Sequence, residues 1–369
     1  MYVVPSKFST QNVTTFSLQG LKHTVLLKNF VFLEFDFIVM TEPATDILEN
    51  DILKRWPEVL ETLLVDYTTH KNIIWATDMY VNRYGESYSF SNEIKVEQIT
   101  GDFGEVIKPR AVKSKEEQEL RIKDKAEVFT PSWICNAQNN LIDEAWFGRK
   151  DVFNREINGE NGSHSWETIT EKIVFPEGKT WKDYVRDTRL EITCGEAPYL
   201  ASRYDTTTGE LIPVEQRIGL LDRKLRVVNE NTETSGDWLD WAQEAYKNIY
   251  GYEWQGDNLL LARETLLYTF IDYYEAKFGK APMKKSVNYI AYIISWNLWQ
   301  MDGLKCVVPN SCKNWVIEKV PTLFGEEEQT VNCIGCQQDD IRRHNGQYCI
   351  VRDWPNNQKI RFIDLIKHI

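Results

Sequence analysis

Apolar residues recur at helical spacing in the first third of the chain. Over residues 46–66 they return every three or four positions, which predicts an amphipathic helix with an irregularity at Pro57. The charged residues 114–127 predict a second helix, whereas the short apolar run at residues 72–77 is typical of a buried strand. We therefore expect a mainly helical N-terminal region over residues 40–125.

A third helical pattern covers residues 134–147, with Ile134, Leu141, Ile142 and Ala145 on one side. Residues 151–180 are polar, with Asn, Gly and Ser at their centre, and we predict a surface loop there.

Residues 1–39 carry aromatic and β-branched residues without the turn formers of the later chain. Met40 then opens a polar start before the first helical pattern. Two interpretations remain open: Met40 is the true initiator and residues 1–39 are an upstream extension or arm, or residues 1–39 form an ordinary edge strand or hairpin.

Three later segments, at residues 190–200, 249–263 and 297–305, each join a short apolar run to a carboxylate and a turn. In the second of them, a strand ending at Glu253 is followed by a turn and an apolar helix, which is half of a βαβ unit. A carboxylate at the carboxyl end of a parallel strand can accept hydrogen bonds from both hydroxyls of a ribose, and Gly195 would allow close approach of a ligand. The alternative is that these are ordinary strand ends with solvent-facing acids.

Four residues near the C-terminus have the spacing C-x2-C-x7-H-x4-C: Cys333, Cys336, His344 and Cys349. Three thiolates and one imidazole suit a closed tetrahedral zinc site, and loop-forming residues surround them. Cys306 and Cys312 are possible replacements for any member. The alternative is a reduced, half-buried cluster of cysteines without metal.

Apolar runs at residues 348–354 and 359–366 flank the turn formers at 355–358, which predicts a hairpin. Residues 306–369 are therefore expected to form a zinc knuckle and a β-hairpin.

Composition narrows the class of protein. At 369 residues and 42% hydrophobic, the chain can fill a sizeable core, and it has neither a long apolar run nor a secretory signal, so we expect a cytoplasmic protein without membrane contact. The net charge of −12 argues against binding nucleic acid over the whole surface, without excluding a local basic groove. The basic residues at 108–125 alternate with acidic ones, which favours a solvated helix with internal ion pairs over a DNA contact.

The three segments, together with AEVFTP at residues 126–131, resemble the cofactor half of the DNA adenine methyltransferases of restriction-modification systems, in the group whose FTP segment precedes the cofactor motifs. The likeness extends from about residue 63 to the C-terminus. It implies an α/β fold with a Rossmann-like methyltransferase sheet, incomplete here, whose core at residues 126–305 binds S-adenosylmethionine. The residues that it assigns to the cofactor are Phe129, Thr130, Pro131, Glu191, Cys194, Gly195, Glu196, Glu253 and Asp302.

Within this resemblance Glu253 is the ribose-binding acid and Asp302 contacts adenine. The chain departs from the family in the glycine turn, where Ala197 replaces the second glycine and the bulky Glu196 replaces a neighbouring residue. It also has no Asn-Pro-Pro-aromatic tetrapeptide. That tetrapeptide orients the target amine and stacks on the flipped base. The chain is then a fragment, one half of a split enzyme, or a fold that has lost catalysis.

The partners implied are DNA, a second chain that supplies the catalytic motif and target recognition, or a restriction endonuclease. The alternative function is a non-catalytic DNA-binding or interaction subunit that keeps the methyltransferase-like fold and the zinc knuckle.

Overall fold

A computed structural model describes residues 49–125, 127, 130–159, 162–313, 315–322 and 325–366. The predictions for residues 1–39, including Met40 as the initiator, lie outside these ranges, as does Phe129.

The N-terminal apolar pattern forms two helices, α1 (Glu49–Arg55) and α2 (Pro57–Leu64). Pro57 begins α2 because a first helical position needs no backbone N–H donor, and the predicted helix with its irregularity is confirmed. A short antiparallel pair follows, β1 (Val65–Asp66) and β2 (Lys71–Asn72). The strand predicted at residues 72–77 is mostly wrong, because only its first residue is in a strand.

The next helices are α3 (Val81–Tyr84), α4 (Val96–Ile99), α5 (Lys115–Lys125) and α6 (Ser132–Phe147), with 3-10 turns at Glu86–Tyr88, Gly101–Phe103 and Arg110–Val112. The helices predicted over 114–127 and 134–147 are confirmed. The side of the third helix that carries Leu141 is not its buried side, because Leu141 is 65% exposed whereas Asn139 and Asp143 are buried.

Residues 151–180 contain an antiparallel hairpin rather than only loop. Its strands are β3 (Asn154–Asn158) and β4 (His164–Thr168), and α7 (Trp181–Arg186) follows. The hairpin side chains are mostly exposed, so its polar sequence concealed a strand pair.

The central element is a parallel sheet in the order β5 (Arg189–Glu191), β6 (Ile249–Glu253), β7 (Leu298–Gln300). Between the first two strands lie a 3-10 turn at Val214–Gln216 and the helices α8 (Leu220–Asn231) and α9 (Ser235–Lys247). Between the second and third lie α10 (Gly256–Phe278) and α11 (Lys284–Asn297). Each apolar run of the three segments therefore forms the predicted strand.

The core lies around α10, which is buried along most of its length, including polar residues such as Asp257 and Arg263. Arg263 on α10 is fully buried and donates to the carbonyl oxygens of Val65 (3.0 Å) and Leu298 (3.0 Å), as well as to that of Leu63. This one guanidinium connects α2 and β1 to the third strand of the sheet.

The C-terminal part contains the antiparallel strands β8 (Trp315–Thr322) and β9 (Gly325–Val331), the short helix α12 (Ile334–Gln338), and the hairpin of β10 (Ile350–Asp353) and β11 (Gln358–Arg361), followed by α13 (Phe362–Leu365). The hairpin predicted around residues 355–358 is confirmed. The β8–β9 pair was not predicted. Val351 and Ile363 join Tyr252 and Trp299 in a second, smaller apolar cluster.

The described residues form a mixed α/β fold with small sheets, and none of their helices has both the length and the apolar character needed to cross a bilayer. The proposed boundaries at residues 40, 126 and 306 stay predictions.

Candidate functional site

The turn after β5 has an unusual backbone. Thr193, Gly195 and Ala197 have φ angles of 46°, 53° and 62°, so every second residue is left-handed. Only glycine adopts this region without steric cost, and a β-branched threonine there is strained. Strain of this kind is often found at functional sites, where the surrounding structure holds it.

The acid at the end of the middle strand closes onto this turn. Glu253 Oε2 accepts a hydrogen bond from the backbone N–H of Gly195 (2.9 Å), and Oε1 accepts one from that of Gln255 (3.1 Å). Burial raises the pKa of Glu253, while these two N–H groups oppose the rise. The structure thus brings together two residues that the sequence assigned to one cofactor site.

The two acids of the first segment, residues 190–200, are also buried and hydrogen-bonded within the chain. Glu191 accepts from the N–H of Leu200 (3.2 Å), and Glu196 accepts from the N–H of Arg110 (2.7 Å) and the hydroxyl of Tyr204 (2.8 Å). Burial raises the pKa of both carboxyl groups. Their present partners are structural, and among the described residues both acids of this strand end are buried.

Asp302, the third predicted acid, follows β7. Its Oδ1 accepts from the N–H of Leu304 (3.1 Å), and its Oδ2 lies 3.4 Å from the ammonium of Lys305. The N–H of Met301 donates to the carbonyl of Glu253 (3.0 Å), so the ends of β6 and β7 are adjacent.

The remaining assigned residues have simpler surroundings. Pro131 caps the start of α6, and the carbonyl of Thr130 accepts from the hydroxyl of Thr206 (3.3 Å). Cys194 is 2% exposed and belongs to the apolar core, and burial raises the pKa of its thiol well above the usual value.

An N-terminal segment lies against the ends of β6 and β7. The amide of Gln300 accepts from the N–H of Ile74 (2.9 Å) and donates to its carbonyl (2.8 Å) and to that of Trp254 (2.8 Å). The N–H of Gly256 donates to the carbonyl of Trp75 (3.1 Å). Residues 74–75 therefore form part of the wall at this edge of the sheet.

A buried ion network beside the same edge was not predicted. Arg121 of α5 pairs with Asp257 at the start of α10 and with Glu127 (2.7 Å), and it donates to the hydroxyl of Tyr80 (2.9 Å). Although burial opposes the change, Arg121 and Lys113 lower the pKa of Asp257 to about 2. Tyr80 also donates to Asp257 (2.7 Å). The solvated helix expected for α5 is thus wrong at Arg121, although most of its neighbours are exposed.

Next to this network is a cavity of about 370 Å³ between α3 and α5, lined by Tyr80, Lys113 and Arg121 among others. The Nζ of Lys113 and the Oε1 of Glu127 have no hydrogen-bond partner in the part of the chain that the structure describes. Burial and Arg121 lower the pKa of Lys113. The sequence did not indicate this network, because Arg121 stands in a helix of charged residues, which is typical of a solvated surface.

The clearest site is a cluster of Cys312, Cys333, Cys336 and His344, whose ligand atoms lie within 4.8 Å of one another. His344 Nδ1 is 3.6 Å from each of the three sulfur atoms. A tetrahedral zinc ion, with bonds of about 2.3 Å to sulfur and about 2.0–2.1 Å to nitrogen, separates such atoms by about 3.6 Å. The cluster can therefore hold a metal ion of this kind.

The local backbone supports that geometry. The N–H of Asn345 donates to Cys333 Sγ (3.2 Å), and this bond and one from the backbone of Cys336 lower the pKa of Cys333 to about 6, against the opposing effect of burial. A Cβ on Gly335 would lie only 2.6 Å from the nitrogen of His344 and 2.7 Å from its Nδ1. Gly335 is thus required for the close approach of His344.

One predicted metal ligand is corrected. Cys349 is fully buried in the second apolar cluster, and its thiol donates to the carbonyl of Gln300 (3.4 Å). Cys312 takes its place, and Cys306 is also fully buried in that cluster. Cys312 is distant in sequence from Cys333, but the antiparallel β8–β9 pair between them brings the two ends of the hairpin together.

No family model, no curated protein and no solved structure matches the chain. The class of protein rests on its own residues: a mixed α/β protein with a cluster of three cysteines and one histidine that can hold a metal ion.

Proposed function

We propose that this protein binds S-adenosylmethionine and is related in function to the DNA adenine methyltransferases of restriction-modification systems. The observation that carries the proposal is the alignment of three parallel strands with Glu191, Glu253 and Asp302 at or just after their carboxyl ends, where Glu253 is bonded to the N–H of Gly195. Ligands of α/β sheets bind outside the carboxyl ends of the strands.

In this proposal the carboxylate of Glu253 accepts hydrogen bonds from the two ribose hydroxyls. It gives up its bond to the N–H of Gly195, and this freed N–H then faces the ligand. The bond that is lost and the two hydroxyl bonds that replace it are all made to the same carboxylate, so Glu253 gains one charge-assisted hydrogen bond in the exchange.

The experiment is calorimetry of S-adenosylmethionine with the wild type, Glu253→Gln and the matched control Glu275→Gln, whose side chain is exposed on α10. We expect binding to the wild type and the control, and at least about tenfold weaker binding to Glu253→Gln, equivalent to about 1.4 kcal/mol. Thermal unfolding without ligand monitors folding of each variant. The proposal fails if the wild type does not bind, or if Glu253→Gln binds as tightly as the wild type.

The methyl acceptor in this proposal is the exocyclic amine of adenine in DNA. Because the sequence has no Asn-Pro-Pro-aromatic tetrapeptide, a second chain or a further segment supplies the amine-orienting carbonyl and the stacking ring.

A second candidate function is a non-catalytic DNA-binding or interaction subunit. It is favoured by the internal hydrogen bonds of Glu191, Glu196 and Glu253, which all have partners within the chain. A thermal shift separates the two candidates: a ligand that binds only the native state raises its stability, so an unchanged unfolding temperature at millimolar S-adenosylmethionine favours the second.

For the cysteine and histidine cluster we propose a structural zinc ion. Four protein ligands close the coordination sphere, which leaves no position for a substrate. We expect one zinc ion per chain after dialysis, and clearly less than one would contradict this assignment.

A further inference from the structure

Lys113 brings a buried amino group to the cavity between α3 and α5. The residue follows the 3-10 turn at Arg110–Val112. Its N–H donates to the carbonyl of Arg110 (3.1 Å), and its own carbonyl accepts from the side-chain amide of Gln118 (3.0 Å). Lys113 is 9% exposed and lines the cavity. The backbone that carries this side chain is therefore fixed from both directions.

The hydrogen bonds of this amino group are unmet. Its Nζ has no hydrogen-bond partner among the residues that the structure describes. Asp257 and Glu127 act on it through their charge, but both are already bonded to Arg121. Buried polar groups of native proteins nearly always have a partner, and an exception calls for an explanation such as a bound water or ion. We therefore ask what the cavity beside Lys113 can hold.

The size and lining of the cavity suit a small molecule. Its volume of about 370 Å³ lies within the range of about 300–1,000 Å³ that is typical of ligand sites. Tyr80 and Tyr84 line it together with Val112 and Leu120, which are 46% and 51% exposed. Apolar side chains that remain exposed around a pocket are typical of a binding site. The lining thus favours a ligand with an apolar or aromatic body.

The charges of the lining limit the charge of that ligand. Four lining residues are cationic and two are acidic, namely Arg83, Lys108, Lys113, Arg121, Glu105 and Glu117. Lys108 pairs with Glu105 (3.0 Å), and Arg121 faces two carboxylates. Lys113 is thus a cation whose donors are free, while the acids around it oppose a second negative charge. A monoanion fits this balance better than a phosphate dianion does.

We propose that this cavity binds a small monocarboxylate with an apolar or aromatic body, whose carboxylate accepts hydrogen bonds from Lys113 Nζ and whose body packs against Tyr80, Tyr84 and Leu120. Hydrogen bonds between an ammonium and a carboxylate are charge-assisted and hence strong. Among the described residues, none of those assigned to S-adenosylmethionine lines this cavity. The inference therefore stands apart from the proposed function, and either can fail without the other.

The experiment titrates the full chain with three probes and follows binding by ligand-observed NMR. Benzoate is the carboxylate, benzamide has the same shape without the charge, and inorganic phosphate is the competing anion. The proteins are the wild type, Lys113→Met and the control Lys123→Met, whose side chain is exposed on α5. We expect the wild type and the control to bind benzoate at least about tenfold more tightly than benzamide or phosphate. Lys113→Met should lose this preference.

A second pair of variants leaves Lys113 in place. Leu120→Glu adds an acid to the lining and should weaken benzoate binding about tenfold without changing benzamide binding. The control Ile122→Glu adds the same charge to the same helix at a residue that is 42% exposed, and it should bind benzoate as the wild type does. Thermal unfolding without ligand checks each variant, and Lys113→Met should be no less stable, because it removes a buried donor that has no partner.

Three results would overturn the proposal. The first is a wild type that does not bind millimolar benzoate, which would leave water as the partner of Lys113. The second is phosphate binding that is tighter than benzoate binding. The third is unchanged benzoate affinity in Lys113→Met, which, together with a lower unfolding temperature, would make Lys113 a structural member of the Arg121 network.

Discussion

The sheet core and the cluster of Cys312, Cys333, Cys336 and His344 differ in what stabilises them. Around β5, β6 and β7, large side chains such as Phe270 and Trp238 are fully buried in one continuous apolar cluster. Around Cys312 and His344, four ligand atoms lie instead within 4.8 Å of one another, and in the proposed zinc site one ion connects them. We therefore expect the first region to remain folded after the loss of one contact and the second to lose its local order with any one ligand.

Loss of a metal ligand should have the largest effect, and a local one. Structural zinc sites contribute about 10–16 kcal/mol of apparent binding free energy in zinc-finger peptides, so Cys333→Ser should abolish stoichiometric zinc binding. Hydrogen exchange should show lost protection at residues 333–349 and unchanged protection in α10. The matched control is Cys349→Ser, which alters a buried thiol outside the cluster and should retain one zinc per chain. Zinc in Cys333→Ser, or global loss of protection, would contradict this contrast.

Within the core, the buried ion network should be the next most sensitive feature. Arg121→Met leaves Asp257 and Glu127 without their cation, and breaking a buried pair in this way costs about 3–5 kcal/mol. The effect should appear as a lower midpoint of global unfolding in denaturant, with zinc content unchanged. Arg186→Met is the control, because Arg186 is 57% exposed and pairs with Glu244 at the surface. A loss in Arg121→Met no larger than in this control would show that the network contributes no stability.

A smaller effect is expected from a change beside the metal site that leaves all four ligands in place. Gly335→Ala puts a methyl group against the backbone and ring of His344, which should displace the imidazole and weaken zinc binding about tenfold, or about 1.4 kcal/mol. Gly236→Ala on α9 has open space around the new methyl group, with the nearest atom at 3.9 Å, and should bind zinc normally. Competition with a chromogenic chelator measures both. Equal affinity in the two variants would mean that His344 can shift without cost.

The smallest effect is a change in the pH dependence of core stability. Burial raises the pKa of Glu191 well above 4.5 in the folded state, so the folded chain binds more protons than the unfolded chain, and this group's contribution to stability falls as pH rises above 4.5. Relative to the wild type, Glu191→Gln should therefore lose less stability between pH 5 and 7. Denaturant midpoints of zinc-loaded protein measure the slopes, with Glu275→Gln as control. Parallel slopes for wild type and Glu191→Gln would show that Glu191 does not titrate in this way.

The strands and their terminal acids could be predicted because the signal is local. A short apolar run, an acid, a turn and a helix follow one another within residues 249–263, and tertiary contacts only complete that pattern. The same holds for the C-x2-C pair, which places Cys333 and Cys336 on one short turn.

The side chains that contact one another in these sites could not be predicted, because they lie far apart in sequence. Cys312 reaches the cluster through a hairpin whose strands show no regular alternation of apolar and polar residues. Cys349 is closer in sequence to His344 but lies in an apolar cluster. Arg121 stands in a helix of charged residues, and its buried contacts, including that with Asp257, 136 residues away, distinguish it from its solvated neighbours. The buried face of α6 could not be predicted for the same reason. The buried Asp143 accepts a hydrogen bond from Arg223 of α8 (2.6 Å), which is distant in sequence.

The β8–β9 pair has a practical consequence for protein engineering. Its register pairs Trp315 with Val331 at one end and Thr322 with Gly325 at the other, so Cys312, just before β8, and Cys333, just after β9, lie at the same end of the pair. We expect an affinity tag or a fluorescent reporter inserted between the two strands to lie at the opposite end, away from these cysteines. The hairpin is therefore the natural insertion point for labelling this protein while its zinc content is followed.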